Sequence, residues 1–216
     1  MISLLLAQAT ESHNWFKTLV VDGGPIGWLI WLINLVMWGL VVKFFMDFRT
    51  ESIAPEALRL ELEEMFDARQ YREVLERTED DPSALGFMMH EAMSQANYGY
   101  GAMERGLEEA AEDRVVRMMR NIEWLNLIGN IGPMLGLMGT VLGMIMAFQD
   151  IVSAGGSPDP AELAGSISIA LVTTLLGLAI AIPALAVYAI MRNRVDSLTS
   201  EAMVAAQDLI STFRPA

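Results

Sequence analysis

Three long apolar runs stand out in this sequence, at residues 26–45, 125–148 and 163–191. Each contains about 20 residues or more, the length that an α-helix needs to cross the hydrocarbon core of a membrane. Pro25 comes directly before the first run, in a position that suits the first turn of a helix. The pattern therefore predicts an all-α integral membrane protein with three transmembrane helices.

Small residues recur at helical spacing within the second and third runs. The second run carries five glycines at intervals of three and four residues, namely Gly129, Gly132, Gly136, Gly139 and Gly143. The third run carries a similar stripe, namely Ala170, Thr174, Gly177, Ala181 and Ala184. These intervals place small side chains on one face of a helix, where a second helix can approach closely. We expect the two faces to pack against each other.

The long polar segment between the first and second runs is also predicted to be helical. Turn signals divide its first part into three short helices, expected near residues 55–66, 68–77 and 82–96. From Ala102 onward apolar residues recur every three or four positions, and nothing stops the pattern before Pro133. The third run is expected to continue in the same way to Phe213. The second and third transmembrane helices are thus predicted to extend into the cytoplasm as a helical stalk.

These patterns divide the chain into seven segments. They are an N-terminal periplasmic or interfacial segment (1–24), the first transmembrane helix (25–45), a cytoplasmic helical insert (46–121), the second transmembrane helix (122–148), a periplasmic loop (149–162), the third transmembrane helix (163–191) and a cytoplasmic C-terminal helix (192–216). Within the first segment, residues 11–21 suit a short helix in the outer interface, with a frayed tail as the alternative. Residues 1–9 lack the basic start of a signal peptide, so we expect no cleavage.

Composition and charge support this topology. Apolar residues make up 53% of the 216 residues, and the mean hydropathy is +0.38. Lys and Arg flank the apolar runs on one side, whereas residues 149–162 contain neither, which places the N-terminus outside and the C-terminus inside the cell. Residues 46–120 carry 18 acidic and 9 basic side chains, so a nucleic-acid partner is disfavoured. The chain has no cysteine, which excludes thiol catalysis and disulfides.

The apolar runs offer little chemistry of their own. No Asp, Glu, Lys, Arg or His lies in the middle of any run, whereas ion carriers in membranes normally use such a group. Thr140 and the Thr173–Thr174 pair bring hydroxyls to the two stripes, although each hydroxyl can instead bond its own helix. Pro133 and Pro183 are candidate kinks. We expect no catalytic residues, no metal site and no cofactor, and hence no enzyme.

Two segments of the chain resemble the MotA/TolQ/ExbB proton-channel family, and within it the ExbB/TolQ branch. They are IGPMLGLMGTVLGMIMAF (131–148) and SIALVTTLLGLAIAIPALAVY (168–188). The resemblance implies a homopentamer that surrounds two copies of a single-span, ExbD/TolR-like protein, each with a membrane aspartate. It also implies that Thr140 and Thr174 face the lumen. Such a complex in the bacterial inner membrane would couple a flow of H⁺ to mechanical work.

The chain departs from the family pattern at Ile169, where many ExbB and TolQ chains have a glutamate. A mechanism that depends on that glutamate is therefore in doubt here. The pair Thr173–Thr174 is similar to the paired threonines of sodium-driven stators, so Na⁺ is the alternative ion. A non-conducting membrane scaffold of the same fold is the alternative function.

Overall fold

The computed structural model describes residues 24–214, and all of its regular secondary structure in that range is helical. The helices are α1 (Gly24–Asp47), α2 (Thr50–Ile53), α3 (Glu56–Asp67), α4 (Tyr71–Glu79), α5 (Ala84–Ser94), α6 (Tyr100–Ser153) and α7 (Pro160–Ile210), with 3₁₀ turns at Ala96–Tyr98 and Ser211–Phe213. The expectations for residues 1–9 and 11–21 lie outside the described residues.

Three of these helices are long and apolar enough to cross a membrane. They are α1 and the apolar parts of α6 and α7, with mean hydropathies of 2.0, 1.8 and 2.3 over their most apolar stretches. Many of their large apolar side chains are exposed, such as Leu35 at 72% and Ile182 at 67%. Apolar surface of this extent suits lipid or another membrane helix as its neighbour. The prediction of an all-α membrane protein is confirmed.

Both α6 and α7 continue without interruption through their prolines. Pro133 lies inside the 54 residues of α6, and Pro183 lies inside the 51 residues of α7. Neither proline therefore ends a helix, and the kinks expected at Pro133 and Pro183 stay predictions. Neighbouring helices and side chains can satisfy the backbone carbonyl that a proline leaves without its donor.

The chain forms two compact units. The first comprises the described residues up to Leu40 together with Leu125–Ala186. The second comprises Val41–Trp124 together with the chain from Val187 onward, described as far as Arg214. Each of the two long helices contributes residues to both units.

The second unit contains the short helices α2–α5, packed around a core of methionine and leucine. Four of these core residues are fully buried, namely Leu62, Met88, Met89 and Leu107. On α7 a stripe of small and medium residues is buried in the same unit, including Val195, Ala202 and Ala206. An aromatic cluster of Phe66, Tyr71 and Phe213 joins α3 and α4 to the C-terminal turn, with ring centroids 4.8–6.1 Å apart.

The short helices differ in detail from the sequence-based bounds. Each begins one to three residues later than expected, and α2 was not predicted. Ser83 explains the start of α5, because its Oγ accepts a 3.0 Å hydrogen bond from the backbone N–H of Gly86 and so caps the helix. Pro82 precedes that cap instead of opening the helix.

A charged network fixes the turn that precedes α5. Asp81 accepts hydrogen bonds from the backbone N–H and the Oγ of Ser83, and its other oxygen lies 3.0 Å from Nη1 of Arg77. Arg77 also donates to Glu61 at 3.0 Å, which connects α4 to α3. Burial raises the pKa of Asp81, but the Ser83 hydrogen bonds and Arg77 outweigh burial, so its net pKa lies below the ordinary value.

Candidate functional site

Within the first unit, α6 and α7 meet along the two stripes of small residues. The contact is close enough that backbone touches backbone. A Cβ on Gly132 would lie 3.0 Å from the carbonyl oxygen of Gly177, and a Cβ on Gly177 would lie 2.6 Å from that of Gly132. Farther along the helices, a Cβ on Gly143 would lie 2.7 Å from Cβ of Ala170. We refer to this contact as the glycine seam.

The remaining stripe residues also lie in the glycine seam. A Cβ on Gly136 would lie 3.1 Å from Cα of Thr174, and one on Gly129 would meet the side chain of Leu185 at 2.5 Å. On α7, Ala170, Ala181 and Ala184 are 4%, 3% and 0% exposed. Because later residues of α6 meet earlier residues of α7, the two helices are antiparallel. Glycine is required on α6 since a larger residue would push α7 away.

Thr173 lies inside the glycine seam, so within one chain its hydroxyl faces no open surface. The side chain is 0% exposed and packs where a Cβ on Gly139 would overlap it. Its Oγ1 donates to the carbonyl oxygens of Ile169 and Ala170, both at 3.0 Å. Within one chain Thr173 thus packs between the two helices, and the part in an ion pathway that its pairing with Thr174 suggested stays a prediction.

Thr140 and Thr174 are half-buried, and their hydroxyls are differently engaged. Oγ1 of Thr174 lies 3.3 Å from the carbonyl oxygen of Ala170 and also 3.3 Å from that of Gly136 on α6. Oγ1 of Thr140 donates to Leu137 at 2.6 Å. The single proton of each hydroxyl is thus used within the chain, whereas the oxygen can still accept a hydrogen bond or a cation.

Two asparagines bring further polar atoms to α6. Nδ2 of Asn130 donates to the backbone oxygen of Asn126 at 2.7 Å and to its Oδ1 at 2.9 Å. Asn130 is exposed although it lies in the apolar part of α6. A polar group in this position is costly against lipid and favours a protein or water neighbour.

A polar contact that the sequence analysis missed joins α6 to α7 near Ser153, the last residue of α6. Oγ of Ser166 donates to Oδ2 of Asp150 at 2.7 Å. Ser166 is only 9% exposed. The sequence signal was the position of Asp150 two residues after the end of an apolar run, but nothing in the sequence paired it with a serine 16 residues later.

The ionisable residues of the first unit are few and all acidic. Over residues 24–40 and 125–186 they are Asp150, Asp159 and Glu162. None of the three lies within the glycine seam, at residues 129–143 of α6 or 170–185 of α7. In the seam the two helices therefore provide only hydroxyl, amide and backbone oxygens. Among the residues that the structure describes, no group of three or more His, Cys, Asp and Glu side chains is arranged to hold a metal ion.

Residues 80–203 match the model of the MotA/TolQ/ExbB proton channel family. The chain belongs to this family. The matched part includes α5, the whole glycine seam and the Asp150–Ser166 contact. The family is one of channels, which agrees with the membrane helices found here.

Curated relatives in this family are biopolymer transport proteins. The exbB1 protein of Vibrio cholerae is 50% identical over 62 residues, which cover 29% of this chain and 27% of that protein. ExbB of Helicobacter pylori is 37% identical over 84 residues, which cover 39% of this chain and 57% of that protein. ExbB of Salmonella typhimurium is 29% identical over 201 residues, which cover 85% of this chain and 78% of that protein.

This chain therefore matches only part of the exbB1 protein of Vibrio cholerae and of ExbB of Helicobacter pylori. The matched parts are about a quarter and about three fifths of their lengths. The range matched by the MotA/TolQ/ExbB family includes both helices that form the glycine seam. At Ile169 the side chain is half-buried, and its carbonyl oxygen accepts a hydrogen bond from Thr173. Ile169 therefore has a backbone role in the seam and contributes no ionisable group.

Proposed function

We propose that the chain is an ExbB/TolQ-like subunit of an inner-membrane ion channel that couples proton motive force to mechanical work. One observation carries the proposal. The helices that match the channel family have no ionisable residue at mid-depth, but they hold the half-buried hydroxyls of Thr140 and Thr174 on either side of one seam. A channel of this composition needs a carboxylate from another chain to carry a proton through hydrocarbon.

The proposed source of that carboxylate is a single-span, ExbD/TolR-like partner with a membrane aspartate. Five copies of this chain would surround two copies of the partner, with α6 and α7 lining the central space. Support comes from the exposed polar and apolar surface on these helices, since Asn130 is exposed and Leu137 is 65% exposed. In a lipid bilayer an exposed amide at this position favours a lumen or a partner over lipid.

The proposed orientation places the N-terminus in the periplasm and the C-terminus in the cytoplasm. It is supported by the absence of Lys and Arg from residues 149–162 and by the presence of Arg192 and Arg194 after the third apolar run. Asp150, Asp159 and Glu162 would then lie on the outer side, where cations enter.

We propose H⁺ as the transported ion, with Na⁺ as the alternative. Hydroxyl and carbonyl oxygens are suitable ligands for a hard cation, and Thr174 lies within 3.3 Å of two carbonyl oxygens. Flux measured in Na⁺-free buffer separates the two ions, because proton transport continues there and sodium transport stops.

Native mass spectrometry of the detergent-extracted chain tests the assembly. The chain is purified alone and after co-expression with the neighbouring single-span protein. Five copies that gain two copies of the partner support the proposal. A chain that stays a monomer or dimer and ignores the partner contradicts it.

A second candidate function is a membrane scaffold that does not conduct ions. It is favoured by one observation, namely that the protons of Thr140, Thr173 and Thr174 are all donated to carbonyl oxygens of the chain itself. The scaffold predicts the same assembly by mass but no ion flux, so the two functions differ in the transport measurement and not in copy number.

A further inference from the structure

Only one oxygen of the Asp150 carboxylate is engaged within the described part of the chain. Oδ2 accepts the 2.7 Å hydrogen bond from Oγ of Ser166, whereas Oδ1 forms no hydrogen bond with a described residue. Asp150 is half-buried, and Oδ1 is not one of the fully enclosed polar atoms in that range. Oδ1 is therefore open to water or to an ion.

No basic residue in the described part of the first unit neutralises this carboxylate. The charged side chains described in that unit are Asp150, Asp159 and Glu162. Ser166, which holds the carboxylate, is the fourth residue of the third apolar run (163–191). The charge thus lies at the edge of the membrane-spanning part, and an ionisable side chain at such a depth typically marks an ion pathway.

Ile169 follows Ser166 on α7 by about one turn. Residues three apart on a helix are neighbours on its surface, with about 5–6 Å between their Cβ atoms. Helical side chains also lean toward the N-terminus of their helix. A glutamate in place of Ile169, as many ExbB and TolQ chains have, would therefore direct its carboxylate back to the turn that contains Ser166. The Asp150 carboxylate is bonded to this same turn.

We propose that Asp150 on α6 supplies the carboxylate that many ExbB and TolQ chains carry on α7 in place of Ile169. Asp150 accepts a proton from water on the outer side of the membrane and passes it to the membrane aspartate of the single-span partner. The transfer returns Asp150 to its charged form, so the proton is the only species that moves. The inference rests on the proposed function.

Glu162 is the other acidic residue on α7 before Ile169, but its position fits this role less well. Along the helix it lies about 10.5 Å from Ile169, whereas Ser166 lies about 4.5 Å from Ile169. Glu162 is exposed, and no described residue holds its carboxylate by a hydrogen bond. It therefore serves as the matched control, a carboxylate at the same end of the helix pair but without the contact to Ser166.

Proton uptake by liposomes that contain the chain and its single-span partner tests the role of Asp150. Asp150→Asn keeps an oxygen that can accept the Ser166 hydrogen bond but removes the group that binds a proton. We expect this variant to assemble as wild type does and to lose most of the flux. Combining it with Ile169→Glu should restore most of the flux, because a carboxylate then reaches the same turn from the other helix. Glu162→Gln should conduct as wild type does.

A chemical form of the test compares two treatments of one assembled protein. The chain has no cysteine, so Asp150→Cys can be alkylated selectively beside a cysteine-free partner. Iodoacetate attaches a carboxylate to the new thiol, whereas iodoacetamide attaches a neutral amide. We expect flux only after treatment with iodoacetate.

Copy numbers in native mass spectra and unfolding midpoints show whether each variant is intact. If wild type conducts and intact Asp150→Asn conducts equally well, the role of Asp150 is wrong and the proposed function stands. Equal flux after the two alkylations, or an intact double variant that stays inactive, would likewise overturn the role. Wild-type complexes that conduct no ions would overturn both proposals.

Discussion

Oγ of Ser166 donates a 2.7 Å hydrogen bond to Oδ2 of Asp150, which ties α7 to α6 close to the end of the glycine seam. Ser166 also belongs to the seam itself, because its carbonyl oxygen lies 2.9 Å from where a Cβ on Gly143 would be. This hydrogen bond therefore holds α6 and α7 together close to the loop that connects them. With no basic residue in 149–162, the Asp150 carboxylate depends on this hydroxyl for a charge-assisted hydrogen bond.

Removing the hydroxyl should destabilise this end of the helix pair. We expect Ser166→Ala to lower the free energy of unfolding by about 1–3 kcal/mol, because Asp150 loses a hydrogen bond to a charged group. Thermal unfolding in detergent would show the change as a lower midpoint. Ser168→Ala is the matched control, since Ser168 is half-buried on the same helix and makes no hydrogen bond with the residues described. Equal midpoints for the two variants would contradict the role of the contact.

The glycine seam predicts a compensated pair of substitutions. We expect Gly139→Ala to cost about 1–3 kcal/mol of stability, because its Cβ would overlap the Thr173 side chain. Adding Thr173→Ala should recover much of the loss by making room for the new methyl group. The measurement is the unfolding midpoint of the single and double variants.

Gly165→Ala is the control for this pair, since a Cβ at Gly165 meets nothing within 4 Å and alanine favours a helix. Gly139→Leu is the stronger form of the test and should abolish the oligomer as well. An unchanged midpoint for Gly139→Ala would mean that the two helices do not pack on this face.

The Asp81 network predicts a pH-dependent contribution to stability. The pKa of Asp81 is lowered from its ordinary value of 3.8, so its contribution is present above that value and is lost as the pH falls through the folded-state pKa. Asp81→Asn should therefore lower the unfolding midpoint at pH 7, and the difference from wild type should shrink below about pH 4. The control is Glu76→Gln, whose exposed pair with Arg72 should matter little at any pH. A pH-independent effect of Asp81→Asn would contradict the argument.

The three membrane helices and the two stripes follow from sequence because their signals are local. Apolar length predicts a span, and glycine spacing predicts which face packs, without knowledge of any other segment. The burial of Thr173 could not be predicted from such local signals. Thr173 and Thr174 are adjacent and chemically equal, and only the register of α6 against α7 buries the first and leaves the second half-exposed.

Contacts between residues that are far apart in the chain could not be predicted from the sequence either. Asp150 and Ser166 are 16 positions apart on different helices, and their pairing depends on the length and turns of the connecting loop. The unpaired hydroxyl of Thr199 is likewise invisible in sequence, where threonine in a helix suggests a bond to its own backbone. Register and burial, which decide both cases, are properties of the packed chain.

Ion flux through the complex tests the central claim most directly. The chain and its single-span partner are reconstituted together in liposomes, and proton uptake is followed for wild type, Thr174→Val and Thr173→Val. Valine nearly preserves the shape of threonine but removes its oxygen. We predict that wild type conducts, that Thr174→Val loses most of the flux, and that Thr173→Val keeps it because Thr173 is buried in the seam. Intact complexes in which wild type conducts no ions, or in which Thr174→Val conducts as well as wild type, would contradict the account.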